Sequence, residues 1–152
     1  MNEVRERFAL VNGRVVTPQT VEKGMVVVVE GSTIAGVVPV ADLVDATREI
    51  DVGGRLIAPG LIDIHTHGAL GHTFNEPTAA AFGVITRENA RRGVTSLLAT
   101  PATAPIDNLV ACLAFSREWM AREQLAEDYE GAQVLGVHLE GPYFDLAQAG
   151  AQ

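Results

Sequence analysis

With 152 residues, 47% hydrophobic and 20% charged, the chain is long enough for an ordinary core and too apolar to be disordered. Its formal net charge of -8, from 19 Asp and Glu against 11 Lys and Arg, leaves no basic stripe. That argues against nucleic acid and anionic membrane as partners. Cys112 is the only cysteine, so there is neither a disulfide framework nor a cysteine zinc site, and its apolar helical setting reads as that of an inert core thiol. The first seven residues lack the apolar stretch of a signal peptide, and no run reaches the roughly 18 apolar residues of a membrane span. A reducing cytoplasm is the default expectation.

In chain order, the first elements are short strands joined by tight turns. Asn12-Gly13 lies between two apolar runs within residues 8–17 and predicts a hairpin. The β-branched run from Met25 to Glu30, the pair Gly31-Ser32 and a second run from Thr33 predict another. Ile50 to Val52 lead through a Gly53-Gly54 turn into Leu56-Ile57. Residues 1–57 thus read as a small antiparallel, β-sandwich-like module.

From Ala58 onward the texture is that of an α/β domain. Leu61 to His65 predicts a buried strand. Pro77 to Arg92 predicts a helix, with Asn75 or Glu76 near its start, Pro77 in its first turn and Gly93 just past its end. Val94 to Ala99 predicts a second strand. Ile106 to about Glu127 predicts a second helix, with Leu109, Leu113, Met120 and Leu125 on its apolar side. Gln133 to Leu139 predicts a third strand. Strands alternating with helices imply parallel pairing through right-handed crossovers, here over residues 58–152.

The candidate chemistry sits at the strand ends. His65 and His67 close an apolar strand one residue apart, so by alternation they project from one face. In parallel α/β folds the loops after strand C-termini carry the active site, and two imidazoles there can hold one metal ion. Asp63 shares that face, either as an acceptor behind a ligand imidazole or as a turn-type contact. Glu140 follows the third strand and precedes Gly141-Pro142; a carboxylate there is poorly explained by packing and calls for a pairing partner or a metal. His138 shares its face, as a group that orients Glu140 or lines the pocket, or as a hydrogen-bonded core histidine. His72 reads as a loop residue, Asp51, Asp107 and Asp145 as turn or cap residues, and Trp119 as packing.

Ala58-Pro59-Gly60-Leu61-Ile62-Asp63-Ile64-His65-Thr66-His67-Gly68 resembles the first barrel strand of the amidohydrolase superfamily. The run Val137-His138-Leu139-Glu140-Gly141-Pro142-Tyr143-Phe144, continuing to Gly150-Ala151-Gln152, is similar to the N-acetylglucosamine-6-phosphate deacetylase family. The turns at Asn12-Gly13 and Gly31-Ser32 resemble that family's small β-module, and Thr100-Pro101-Ala102-Thr103 loosely resembles its Thr/Pro-rich segment.

The resemblance implies a metal-dependent (β/α)8 TIM barrel whose first three βα units lie here, the barrel being incomplete in this chain. It implies a divalent metal on Glu140 with two later histidines, and a second metal on His65 and His67. By ligand type Zn, Fe, Mn and Co fit alike, one or two per site. It implies an amino-sugar phosphate as small-molecule substrate, with contacts near Ala151 and Gln152, an acid/base aspartate beyond Gln152, and a homodimer at full length. The expectation that follows is an N-terminal piece of a longer enzyme, inactive alone. The alternatives are another amidohydrolase acting on a cyclic amide or N-acyl amino acid, and a truncated non-catalytic relative.

Overall fold

The computed structural model describes residues 6–43, 48–123 and 129–150. The chain divides into two compact units, Met1–Pro59 and Gly60–Gln152.

The first unit contains β1 (Arg7–Val11), β2 (Arg14–Val16), β3 (Val21–Lys23), β4 (Met25–Glu30), β5 (Thr33–Pro39), β6 (Arg48–Asp51) and β7 (Leu56–Ile57). They form two sheets, ordered β5-β4-β1-β6 and β3-β2-β7. The hairpin predicted around Gly31-Ser32 is present: Glu30 pairs with Thr33, and Gly31 adopts φ +59°. β4 lies between two partners and buries Val26, Val27 and Val28 in succession, so both of its faces are covered.

Two expectations for this unit are corrected. Asn12-Gly13 does not close a hairpin, because β1 pairs with β4 and β6 while β2 pairs with β3 and β7. The dipeptide carries the chain from one sheet to the other. Long-range contacts claim it: Asn12 Nδ2 donates to Asp51 Oδ1 at 2.8 Å, and a Cβ on Gly13 would lie 2.5 Å from Ile57 Cδ1. Nor is the module purely antiparallel, since β1–β6 and β2–β7 run parallel. Asp51 serves its turn as expected, with Oδ1 also accepting the Gly53 N–H at 2.7 Å.

The second unit contains β8 (Leu61–Thr66), β9 (Gly68–Ala69), β10 (His72–Thr73), α1 (Ala79–Arg91), β11 (Val94–Ala99), α2 (Ile106–Glu123) and β12 (Gln133–Val137). The order β12-β11-β8, parallel throughout, is the strand–helix–strand reading. α1 starts at Thr78, whose hydroxyl accepts the Ala81 N–H, so Pro77 stands just before the cap rather than inside the first turn. Past the helix, Gly93 takes φ +86°.

The helices bury one face of this sheet. Phe74, Phe82, Ile85, Leu97, Ala99, Ala132 and Val134 form its core, with Phe115, Trp119 and Met120 packed against them. Phe82 sits edge-on to Phe74 and Phe115, centroids 4.9 and 5.0 Å away. Glu123 is buried at the end of the described α2 and accepts from the Trp119 indole N–H and, at 3.0 Å, from the Val134 N–H, which ties helix to strand.

Two further expectations change here. Leu61 to His65 is not buried: Leu61, Ile62 and Ile64 are more than 60% exposed. β8 is an edge strand with one neighbour, so an apolar run alone did not ensure cover. On α2 the inward positions are Leu109, Cys112, Ser116 and Glu123, which leaves Leu113 at 40% exposure one step off the buried stripe. Burial raises the pKa of Cys112, in keeping with an unreactive thiol. Leu125, Ala151 and Gln152 lie outside the described residues. No described helix is long and apolar enough to cross a membrane.

Candidate metal centre

The centre is built at the C-terminal ends of β8 and β12. The β8–β11 register shifts so that Leu97 pairs with Asp63 but Ala99 pairs with Thr66, an extra residue on β8 in the stretch that carries His65. Even so, His65 and His67 lie side by side, ring centroids 5.1 Å apart and edge-on. The chain then passes Gly68 into the small β9–β10 hairpin, where a Cβ on Gly68 would meet the His72 carbonyl at 2.0 Å.

Glu140 arrives from beyond β12. The ladder extends past the strand through His138 N–H to Ala99 O at 2.9 Å and Glu140 N–H to Pro101 O at 3.3 Å. The Thr103 hydroxyl donates to the Glu140 carbonyl at 3.2 Å. Glu140 Oε2 thereby comes within 2.8 Å of His65 Nε2 and 3.2 Å of His67 Nε2. One potential donor atom from each of the three residues lies within 4.8 Å of the others.

The hydrogen bonds behind these groups decide what the donors offer. His67 Nδ1 lies 2.9 Å from the Thr100 carbonyl. A carbonyl can only accept, so Nδ1 carries the proton, and in the neutral ring Nε2 presents its lone pair towards Glu140. A lone pair and a carboxylate oxygen 3.2 Å apart repel unless a proton or a cation lies between them. Two imidazole nitrogens and a carboxylate oxygen also suit Zn, Fe, Mn or Co. The residues therefore fit a divalent ion.

The remaining predicted groups fall around this trio. Asp63 Oδ1 accepts the His65 backbone N–H at 3.0 Å, a turn-type contact that holds the strand rather than an imidazole. His138 donates from Nδ1 to the Ile64 carbonyl at 3.0 Å and stacks edge-on against His65 at 4.7 Å, so it backs the first histidine. His72 stands apart on β10, 3.1 Å from Glu76 Oε2. Asp145 caps a short 3-10 turn, Leu146–Gln148, and Asp107 lies in the first turn of α2.

Two supporting residues escaped the sequence reading. Thr100, fully buried, was visible only as part of a Thr/Pro segment. Asn75, taken for a residue near a helix start, forms a two-way bridge with the Ala102 backbone, both bonds 2.9 Å, and joins the loop after β10 to the loop after β11. Its signal was weak because one amide side chain in a loop has many local uses.

Residues 56–150 match the Amidohydrolase family, and residues 7–57 match the NagA composite domain. N-acetylglucosamine-6-phosphate deacetylase of Haemophilus influenzae is 32% identical over 145 residues, which is 95% of this chain and 36% of that protein. N-acetylgalactosamine-6-phosphate deacetylase of Escherichia coli O157:H7 is 35% identical over 97 residues, 64% of this chain and 24% of that protein. The crystal structure of N-acetylglucosamine-6-phosphate deacetylase from Pasteurella multocida superposes with TM-score 0.80 at 29% identity, covering 93% of this chain and 36% of that one. The chain thus spans about a third or less of the length of these proteins. With the family matched from β7 almost to Gln152, the chain belongs to the amidohydrolase family and resembles the N-terminal part of N-acetylglucosamine-6-phosphate deacetylases.

Proposed function

We propose that this chain is the N-terminal part of a metal-dependent deacetylase that converts N-acetylglucosamine 6-phosphate to glucosamine 6-phosphate and acetate. The observation that carries this reading is the convergence of His65, His67 and Glu140 from two strand ends, in a chain similar to proteins bearing that name. On this reading residues 1–57 are the β-module and residues 58–152 the first three βα units of a (β/α)8 barrel. His65, His67 and Glu140 hold one or two divalent ions, with His138 and Asp63 behind them. Ala151 and Gln152 contact substrate. The full-length enzyme is a cytoplasmic homodimer.

A divalent ion bound there supplies a Lewis acid that brings the ionisation of water to about pH 7. Glu140 contributes the negative charge that balances such an ion, and the Thr100 carbonyl keeps His67 in the tautomer whose Nε2 is free to coordinate. In the reaction a water oxygen bonds to the acetyl carbon, the C–N bond breaks, and the departing nitrogen takes up a proton. The carboxylate that moves this proton belongs to a later strand, beyond Gln152. The 152-residue chain alone is accordingly expected to show no turnover.

The deciding assay is acetate release by the full-length protein carrying this chain. N-acetylglucosamine 6-phosphate should be hydrolysed, while a hydantoin and an N-acetyl amino acid should not; the reverse order would reject the reading. The similarity to the Escherichia coli galactosamine enzyme favours N-acetylgalactosamine 6-phosphate as a second substrate to be run in the same assay. Glu140→Gln should lower kcat/KM by more than the roughly 10- to 100-fold typical of disturbing a supporting residue.

A further inference from the structure

Four hydrogen bonds meet at Thr100. Its N–H donates to the Thr66 carbonyl at 3.1 Å. Its hydroxyl accepts the Thr66 N–H at 3.2 Å and donates to the Leu98 carbonyl at 3.2 Å. Its own carbonyl takes the His67 Nδ1 proton at 2.9 Å. The residue is fully buried. It stands just past β11, beyond the second of two register shifts in the ladder to β8, one between Val94 and Ser96 and one between Leu97 and Ala99.

We propose that Thr100 is a positioning residue for the metal centre, its hydroxyl locking the backbone at Thr66 so that its carbonyl holds the His67 ring with Nδ1 protonated and Nε2 turned to Glu140. This rests on the metal reading above and adds the side-chain hydroxyl that holds the tautomer-setting carbonyl in place. The backbone supplies only one of the two bonds between Thr66 and Thr100, because the Thr66 N–H goes to a side-chain oxygen. A buried residue without that oxygen leaves the Thr66 N–H without this acceptor. Thr66 is then tied to Thr100 by one backbone bond instead of two, and the His67 ring is held less closely.

Thr100→Val keeps the β-branched shape and removes the hydroxyl, whereas Thr100→Ser keeps the hydroxyl and removes a methyl. In the full-length protein, zinc affinity measured by chelator competition should fall about 10- to 100-fold in Thr100→Val and stay near the parent value in Thr100→Ser. In the metal-free parent protein, histidine ¹⁵N spectra should show His67 protonated at Nδ1, and Thr100→Val should show a mixture of tautomers. A purely structural role would lower the melting temperature of both variants and move neither zinc affinity nor tautomer. Parent-like zinc affinity in Thr100→Val, or an equal loss in Thr100→Ser, overturns the proposal. So does a His67 in the parent that carries a proton on Nε2 and none on Nδ1, a result that needs no variant to fold. If the parent takes up no zinc, the metal reading fails by itself, and the tautomer still decides the role of Thr100.

Discussion

On β12, Val134 is 3% exposed and its neighbour Leu135 is 51% exposed. The pair marks two different faces of the three-stranded sheet. On Val134's side α1 and α2 close an aromatic core around Phe82. On Leu135's side, among the described residues, the sheet is uncovered, and the edge strand β8 shows Leu61, Ile62 and Ile64 as well. The contrast teaches that stability and chemistry are separable here. The covered face holds the strands as fixed rods, and the strand ends carry the donors.

The largest expected effect comes from opening the covered face. Phe82→Ala should cost about 3–5 kcal/mol in chemical denaturation, because Phe82 meets Phe74, Phe115 and Trp119 with no exposure of its own. A cost below about 1 kcal/mol would mean that this face is not the finished one. Next is Glu123→Ala, which strips an acceptor from the Trp119 and Val134 N–H groups and should cost roughly 1–3 kcal/mol. Leu135→Lys, on the uncovered face, should change stability by no more than about 0.5 kcal/mol. It should instead reduce self-association of the isolated chain in sedimentation, since an apolar edge strand invites pairing; a large loss of stability would erase the contrast.

The smallest effect should be seen in acid. The Thr73 backbone N–H, and then His72, hold the Glu76 carboxyl below its ordinary value. A depressed carboxyl stabilises the folded chain above its unfolded pKa, and that contribution fades as pH falls through the lower, folded value. Glu76→Gln should therefore lower the neutral plateau of a melting-temperature profile slightly and flatten its acid limb, the two proteins converging at low pH.

How much of this was legible in the sequence depended on the range of the interactions. The βαβαβ order could be read because helix periodicity, a Gly93 stop and β-branched runs are local signals with one common topological outcome. His65, His67 and Glu140 could be read because such groups at strand ends have few structural uses. The first unit resisted: Asn12-Gly13 has the composition of a hairpin turn, yet Asp51 and Ile57, some forty residues on, set its use. The same holds for Thr100, whose importance lies in partners at Thr66 and His67 that only the assembled sheet brings near.

Gly60 and Gly68 bracket the histidine strand, and neither has space for a side chain: a Cβ would lie 2.1 Å from Thr95 Oγ1 in one case and 2.0 Å from the His72 carbonyl in the other. Evolutionary drift around this centre is thus fenced from both ends by room rather than by reactivity. Any descendant of this chain that trades its histidines for other donors still inherits the same two empty positions, because they belong to the fit of strand on strand and strand on loop.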